Sequence, residues 1–233
     1  MNHLINTNNQ EPVVIRDIEI DWPRLIARRP ATLKHSEDLP KYLLLPEVRA
    51  LLDCTLDARD HLMINTLWYT GARVSELIAL RPCDFHIDAQ DPDNSFVSIQ
   101  SLKKRPGRRK KNQKGPVPRM VPIVELDYLW ELESYIKTNR LKRTDRLFPV
   151  SRQIVDSRLR KAVQAAKEKG VHFDITISSK TFRHSFAVNA VLHFRSLRTV
   201  RDWLGHEDIR TTEIYTQVLA GDTAHEMKQV KFR

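Results

Sequence analysis

Four side chains near the C-terminal end of the chain have the types and the spacing that phosphate chemistry requires. Lys180 and Arg183 stand three residues apart, and on a helix that spacing puts both cations on one face. His206 follows a glycine, and a histidine can hydrogen-bond a phosphate oxygen or move a proton. Tyr215 comes nine residues later, and its hydroxyl becomes a nucleophile when cations or a base favour the loss of its proton. This combination predicts a site that holds a phosphate group while a hydroxyl attacks it.

A further candidate, Arg73, lies far upstream in the stretch TGARVSEL. It falls at the predicted start of a helix, where free backbone N–H groups also favour an anion. Glu76 is three residues later on the same face and could hold the guanidinium in place. Structural alternatives remain for all of these residues: a surface Arg–Glu pair, an Arg183 paired with a buried carboxylate, a structural histidine and a core tyrosine.

The positive charge of the chain is concentrated in one segment. Lysine and arginine total 39 against 29 acidic residues, which gives a net charge of +10. Residues 102–119 contain nine of those basic residues and no acid, so the rest of the chain is nearly neutral. A basic patch of this kind suits a polyanion such as nucleic acid, although a solvated basic loop has the same composition.

Other functional classes lack their usual motifs. The six glycines are not arranged as a dinucleotide-binding turn, a phosphate-binding loop or a serine-hydrolase elbow, and no H-E-x-x-H is present. Cys83-x-x-His86 has a spacing found in zinc sites but no second ligand pair, so no metal is predicted. Two cysteines are too few for a disulfide scaffold, which favours a reducing cytoplasm. No signal peptide is recognised and no apolar run approaches about 20 residues, so no membrane association is expected.

The hydrophobic pattern predicts a mostly α-helical fold with a small antiparallel β-sheet. Strands are expected at 96–99 and 119–123, with the basic segment between them as a long exposed hairpin loop. Residues 1–39 are expected to form an N-terminal extended arm, residues 40–220 the domain that carries the candidate site, and residues 221–233 a C-terminal tail. Helices are expected at 44–52, 58–70, from 73 onwards, and at 125–137, 151–169, 179–193, 197–203 and 209–219.

The order of these motifs resembles that of the tyrosine recombinases, also called the phage integrase family. The shared order is G-x-R-x-x-E, a lysine-bearing hairpin, K-x-x-R-H, L-G-H and a tyrosine nine residues later. The stretches TGARVSELIAL and LGHEDIRTTEIYTQV are close to the two best-defined motifs of that family, and the resemblance spans about residues 39–220. It implies a site-specific DNA strand transferase that needs neither ATP nor a metal or other cofactor.

The resemblance also implies a role for each matching residue. Tyr215 would attack a DNA phosphodiester, which leaves a 3′-phosphotyrosine bond and a free 5′-hydroxyl. Arg73 and Arg183 would clamp the scissile phosphate, and Glu76 would support Arg73. His206 would take the second histidine position of the family. The 5′-hydroxyl of a partner strand would then reverse the step and rejoin the DNA.

The family also carries a lysine on the β-hairpin, which donates a proton to the leaving 5′-oxygen. By strand register that lysine is Lys103 here, with Lys104 as the next choice. The remaining cations of the loop would hold the DNA backbone. These DNA-binding residues are Lys104, Arg105, Arg108, Arg109, Lys110 and Lys111.

Two departures from the family pattern bear on function. The usual H-x-x-R is Lys180-x-x-Arg183 here, and a protonated lysine can stabilise charge and donate a proton but is a poor base. Most members also carry a helical DNA-binding domain ahead of the catalytic one, in whose place this chain has only residues 1–39. A smaller DNA-binding surface or an accessory DNA-binding protein is therefore expected. The tail 221–233 matches the segment that members pass to a neighbour, which implies a homo-tetramer on double-stranded DNA.

Two other functions stay open at this point. One is a DNA-binding protein that has kept the fold but lost full catalytic activity, which Lys180 would allow. The other is a type IB topoisomerase-like enzyme that cuts and reseals one strand, although the short N-terminal segment argues against a clamp around DNA. The resemblance implies a bacterial cytoplasmic protein associated with the nucleoid. Integration, inversion and resolution are not distinguished, and the small size favours inversion or resolution.

Overall fold

A computed structural model describes residues 20–36, 38–101 and 118–221 of the chain. The α-helices of these ranges are α1 (Trp22–His35), α2 (Leu45–Asp53), α3 (Ala58–Thr70), α4 (Val74–Leu77), α5 (Leu126–Thr138), α6 (Arg152–Glu168), α7 (Ser179–Leu192), α8 (Leu197–Leu204) and α9 (Arg210–Glu213). The strands are β1 (Phe85–His86), β2 (Phe96–Ile99) and β3 (Arg119–Pro122). Short 3₁₀ helices occupy Pro82–Asp84, Pro92–Asn94 and Ile214–Gly221.

The helices begin and end where local sequence signals predict. For example, α3 begins after Asp57, whose side chain accepts a hydrogen bond from the backbone N–H of Asp60. It ends at Gly71, which adopts a φ of +56° and donates its N–H to the carbonyl of Leu67. Serines cap α6 and α7 in the same way as Asp57 caps α3. The helices predicted between residues 44 and 219 are confirmed, the last of them as α9 followed by a 3₁₀ helix.

The N-terminal segment differs from its prediction, because part of the expected extended arm is helical. The side chain of Asp21 caps α1, and a proline occupies its first turn. Leu25 and Arg29 of this helix are buried. Both Nη atoms of Arg29 bond the carboxylate of Glu47 in α2, and an arginine that is 1% exposed needs such a partner. This ion pair anchors α1 to the rest of the domain, whereas residues 1–19 lie outside the described ranges.

The sheet is antiparallel, with its strands in the order β1, β2, β3. Val97 of β2 pairs with Val121 of β3, and Ile99 pairs with Arg119. Alternate side chains are buried along both strands, as a sheet with one face on the core requires. The predicted strand pair and the mostly α-helical fold class are therefore confirmed. The loop that joins the two strands contains residues 102–117, which lie outside the described ranges.

Within the described residues, two hydrophobic clusters meet along α7. The first cluster gathers α2 to α6 and the sheet, and α7 contributes Phe182 to it. The second cluster joins α1 to α8 and the 3₁₀ helix that carries Tyr215, and α7 contributes Val188 to it. Arg183 and His184 lie on α7 between these two contributions. The candidate site forms at this junction, so its residues are positioned by both clusters.

Candidate active site

A buried carboxylate, that of Glu76, binds two arginines from different parts of the chain. Arg73 is the N-terminal cap of α4, and it donates from Nη1 to Oε1 (2.9 Å) and from its backbone N–H to Oε2 (2.8 Å). Arg119 on β3 donates to both oxygens, at 3.1 and 2.6 Å. Burial alone would raise the pKa of Glu76, but the hydrogen bonds and charges of Arg119 and then Arg73 hold that pKa below its usual value. The ionised carboxylate therefore orients both guanidinium groups.

Arg119 is a site residue that the sequence analysis did not identify. Its side chain is 8% exposed, and its Nε donates to the backbone carbonyl of Trp203 in α8 (2.7 Å). The sequence pattern places Arg119 only in a strand and in the basic segment. The sequence does contain a sign that Arg119 is buried, because the period of two along a strand puts it on the same face of β3 as the buried Val121. An arginine on a buried face requires an anionic partner, which Glu76 provides.

Arg183 is buried between the ends of two helices. Its Nη atoms donate to the carbonyl of Gly71, which ends α3 (2.8 Å), and to that of Leu204, the last residue of α8 (2.5 Å). These carbonyls, rather than the buried carboxylate offered as the sequence alternative, accept its hydrogen bonds within the described residues. Burial, followed by the charges of Arg73 and Arg119, lowers the pKa of Arg183 to about 9, so the group stays protonated at neutral pH. A desolvated guanidinium beside two other cations is stabilised by an incoming anion.

Glu76 binds Arg73 and Arg119, and their charges also act on Arg183, so the three guanidinium groups and one carboxylate carry an excess of positive charge. Arg73 is the most open of them, with 26% of its side chain exposed, while Arg119 and Arg183 are nearly buried. A phosphodiester carries one negative charge, and the fork of an arginine binds its oxygens with two parallel hydrogen bonds. The cluster can therefore accept a single phosphodiester through Arg73 and Arg183.

His206 follows Gly205, the residue with a φ of +64° that ends α8. Its Nδ1 is 2.9 Å from the hydroxyl oxygen of the fully buried Thr212, which orients the ring and leaves Nε2 for another partner. Burial, followed by the charges of Arg183 and Arg73, lowers the pKa of His206 to about 4. The ring is therefore neutral at neutral pH and can make one hydrogen bond through Nε2.

Tyr215 lies in the 3₁₀ helix Ile214–Gly221, and its ring belongs to the second hydrophobic cluster. The residue is 1% exposed, and its hydroxyl oxygen is 2.8 Å from Nδ1 of His184. Burial raises the pKa of Tyr215 to about 12, against the opposing charge of Arg183. The structure thus brings this tyrosine next to the arginine cluster but keeps its hydroxyl covered and protonated.

His184 is the histidine of the K-x-x-R-H motif, and it is the second site residue for which the sequence predicted no role. It follows Arg183 on α7, and the centre of its ring lies 6.0 Å from that of Tyr215. Burial, followed by the charges of Arg183 and Lys180, lowers the pKa of His184 to about 4. Spacing does not predict its contact with Tyr215, because the two residues are 31 positions apart in the chain.

The remaining site residues predicted from the sequence are Lys180 and the cations of the loop between β2 and β3. Lys180 is exposed in the first turn of α7, three residues before Arg183, and its charge reaches His184. The lysine predicted to protonate the leaving 5′-oxygen and the loop cations assigned to DNA binding lie outside the described residues. They are Lys103, Lys104, Arg105, Arg108, Arg109, Lys110 and Lys111.

Ligand groups for a metal are not clustered in the part of the chain that the structure describes. There, the side chains of His, Cys, Asp and Glu form no group of three or more that could hold a metal ion. Cys54 is buried and Cys83 is exposed, and both are free thiols. Over the same ranges, every helix is too short or too polar to cross a bilayer.

Sequence comparison relates the chain to DNA recombinases. The profile described as the phage integrase family matches residues 41–221. A probable site-specific recombinase in the afa region of Escherichia coli is 38% identical over 185 residues, which cover 79% of this chain and 73% of the relative. A resolvase of Escherichia coli is 35% identical over 224 residues, which cover 89% of this chain and 84% of the relative.

Solved structures share the fold. The crystal structure of XerA recombinase matches with a TM-score of 0.61 at 24% identity, over 81% of this chain and 65% of that one. The XerH site-specific recombinase, bound to its palindromic difH substrate in a post-cleavage complex, matches with a TM-score of 0.62 at 19% identity. That match covers 82% of this chain and 54% of XerH. The chain therefore spans less than two thirds of the length of these two recombinases.

Proposed function

Because the chain belongs to the phage integrase family, we propose that this site-specific DNA recombinase cuts and rejoins DNA through a phosphotyrosine bond at Tyr215. The observation that carries the proposal is the cluster of three guanidinium groups: Arg73 and Arg119 bind Glu76, and their charges lower the pKa of the nearby Arg183. The excess positive charge of the cluster fits one phosphodiester. The hydroxyl of Tyr215 is close enough to this cluster for the charge of Arg183 to oppose the effect of burial on its pKa.

The proposed reaction exchanges one phosphate ester for another. The scissile phosphate would contact Arg73 and Arg183, and His206 would donate from Nε2 to a nonbridging oxygen. When the oxygen of Tyr215 attacks phosphorus, a new P–O bond forms and the bond to the 5′-oxygen breaks. The tyrosine then carries the 3′-phosphate, and the 5′-oxygen leaves with a proton from the hairpin lysine, Lys103. Attack by the 5′-hydroxyl of a partner strand runs the same step backwards, so no nucleotide hydrolysis is needed.

Tyr215 requires a conformational step before it can react. A phenol that is 1% exposed and has a pKa of about 12 does not reach a DNA phosphate. The segment that carries it is a 3₁₀ helix of 8 residues, and 3₁₀ runs of that length are uncommon and often mark hinges. DNA binding is therefore expected to shift the segment Ile214–Gly221 so that the hydroxyl of Tyr215 reaches the phosphate at Arg183 while it stays beside His184.

The assembly follows from the stoichiometry of strand exchange. Each strand that is cut uses one tyrosine, so exchange of both strands at two sites uses a homo-tetramer on double-stranded DNA. The basic loop at 102–117 would hold the DNA backbone. An accessory DNA-binding protein would assist DNA binding, and residues 221–233 would contact a neighbouring protomer. Such a protein works on the bacterial nucleoid in the cytoplasm.

The relatives also bear on the alternatives. They are recombinases and resolvases, so they do not favour the topoisomerase-like enzyme or the catalytically impaired DNA-binding protein. Among integration, inversion and resolution, the Escherichia coli relative named resolvase supports the resolution of joined DNA molecules.

The proposal is tested by trapping the covalent intermediate on a nicked suicide substrate built from the candidate recombination site. The wild-type protein should form a DNA adduct that survives denaturing electrophoresis, whereas Tyr215→Phe should bind DNA and form none. Tyr135→Phe is the matched control, because Tyr135 lies on α5 beside Phe148 and outside the candidate site. An adduct that persists in Tyr215→Phe would show that the nucleophile is another residue.

A further inference from the structure

His184 and Tyr215 face each other at the edge of the arginine cluster. The 2.8 Å between Nδ1 of His184 and the hydroxyl oxygen of Tyr215 is a distance over which a proton can be transferred. In the tautomer with its proton on Nε2, Nδ1 of His184 accepts the hydrogen of the hydroxyl. The preceding residue of α7 is Arg183, which the proposed function places on the phosphate. The charge of Arg183 acts on both His184 and Tyr215, so this hydrogen-bonded pair lies near the phosphate-binding group.

Other polar groups of the site are donors or are already occupied. Arg183 and the exposed Lys180 are cations, which offer no lone pair to a proton. Nδ1 of His206 bonds a threonine hydroxyl. Both oxygens of Glu76 bind guanidinium groups. Among the described groups of the site, His184 is the one whose lone pair lies on the reacting oxygen.

The surroundings keep His184 in the form that a base requires. Burial, followed by the charges of Arg183 and Lys180, holds its pKa at about 4, so the imidazole is neutral before DNA binds. A phosphodiester that enters beside Arg183 adds a negative charge, and that charge makes the imidazolium easier to form. His184 is thus a weaker base in the resting protein than in the DNA complex.

Building on the proposed function, we propose that His184 is the general base that takes the proton of Tyr215 during DNA cleavage. As the tyrosine oxygen bonds to phosphorus, its proton moves to Nδ1 of His184 and the bond between phosphorus and the 5′-oxygen breaks. The leaving oxygen takes its proton from the separate acid of the proposed reaction. In rejoining, the imidazolium of His184 returns its proton to the tyrosine oxygen as that oxygen leaves phosphorus.

The test compares the wild-type protein with His184→Asn in single-turnover cleavage of the suicide substrate, with either oxygen or sulfur at the scissile 5′ position. Asparagine places an amide oxygen near the position of Nδ1, so Tyr215 keeps a hydrogen-bond acceptor that does not take up a proton. Sulfur leaves without a proton, which removes the need for an acid but not for a base. General-base catalysis contributes about 10²–10⁴-fold to a rate, so His184→Asn should lose at least about 100-fold on both substrates.

The control is His172→Asn, which makes the same change at an exposed histidine and should cleave both substrates at the wild-type rate. DNA affinity should be unchanged in all three proteins. Wild-type cleavage by His184→Asn would overturn the proposal. If His184→Asn recovers the wild-type rate on the sulfur substrate alone, His184 acts on the leaving group. If His184→Asn cleaves faster than wild type, His184 only restrains Tyr215. Either result would also overturn the proposal.

Two further outcomes keep the test decisive. If wild-type protein forms no adduct on either substrate, the proposed function fails, and the role of His184 fails with it. If circular dichroism shows that His184→Asn does not fold, His184→Gln takes its place. Glutamine also supplies an amide oxygen that does not take up a proton, and the same rates support or overturn the proposal.

Discussion

Replacing Arg119 with methionine tests whether the buried carboxylate holds the site together. Methionine keeps much of the aliphatic volume but removes the two bonds to Glu76 and the bond to the carbonyl of Trp203. Removing one partner of a buried ion pair costs about 3–5 kcal/mol, because the other charge stays buried. Arg73 still bonds Glu76 through its side chain and its backbone N–H. We therefore expect the free energy of unfolding to fall by about 3 kcal/mol, the lower end of that range.

The same variant should change how stability depends on pH. In the wild-type protein, burial raises the pKa of Glu76, but Arg119 and Arg73 together hold it below its usual value. A carboxylate of this kind stabilises the fold above its unfolded pKa of about 4.3, and the stabilisation is lost as the pH falls through the folded-state pKa. Without Arg119, burial is opposed mainly by Arg73, so the folded-state pKa of Glu76 rises. The part of the acid loss of stability that Glu76 contributes should then shrink, so the free energy of unfolding of the variant should fall less steeply below about pH 4.3.

Urea unfolding, followed by circular dichroism at neutral and acidic pH, measures both effects. Arg160→Met is the control, since Arg160 is an exposed arginine of α6 and its replacement should change the free energy of unfolding by no more than about 0.5 kcal/mol. A loss of less than about 1 kcal/mol in Arg119→Met would refute the reasoning, because a single neutral hydrogen bond is worth as much. If the free energy of unfolding depends on acidic pH in the same way in the variant and in the wild-type protein, the reasoning is refuted as well.

Two further predictions concern the backbone of the site and the loop. A methyl group at Gly71 would lie 2.6 Å from Cδ1 of Phe186, and the carbonyl of Gly71 orients Arg183, so Gly71→Ala should lower Tm and slow DNA cleavage. Gly170→Ala is the control, because its φ is also positive but no atom lies within 4 Å of the added methyl; an equal fall in Tm would exclude the clash. Glutamine at the four basic positions 108–111 should flatten the log–log salt dependence of DNA affinity by up to about 3.6, at about 0.9 for each phosphate contact. An unchanged slope would mean that the loop does not contact DNA.

Helix boundaries were predictable because capping and hydrophobic periodicity act over a few residues. The second predicted helix, 58–70, is observed as Ala58–Thr70 with its glycine at the C-terminal end. The strands on either side of the basic loop followed from the same kind of local pattern. The helix α1 was not predicted although Asp21 caps it, because Pro30 lies inside it and interrupts the helical pattern. Its packing depends on the ion pair of Arg29 with Glu47, 18 positions away. No local pattern in the N-terminal sequence reports that contact.

Arg119 and His184 show what spacing alone cannot assign. The sequence analysis named Glu76 as the partner of Arg73, but β-sheet pairing brings Arg119 to the same carboxylate from 43 positions away. His184 was adjacent to a predicted phosphate-binding residue, yet its contact with Tyr215 depends on the packing of the terminal 3₁₀ helix against α7. Both contacts join residues whose proximity is set by the packing of whole elements.

The sequence by itself determined which side chains are available for chemistry on a phosphate, and in which order they occur, because few residue types can bind or attack that group. It also determined the helices and strands that carry them. Only the tertiary structure decided that Tyr215 turns inward onto His184 and that two arginines share one carboxylate close to Arg183. Burial and neighbouring charge set the protonation state of each group, and both depend on which elements pack together.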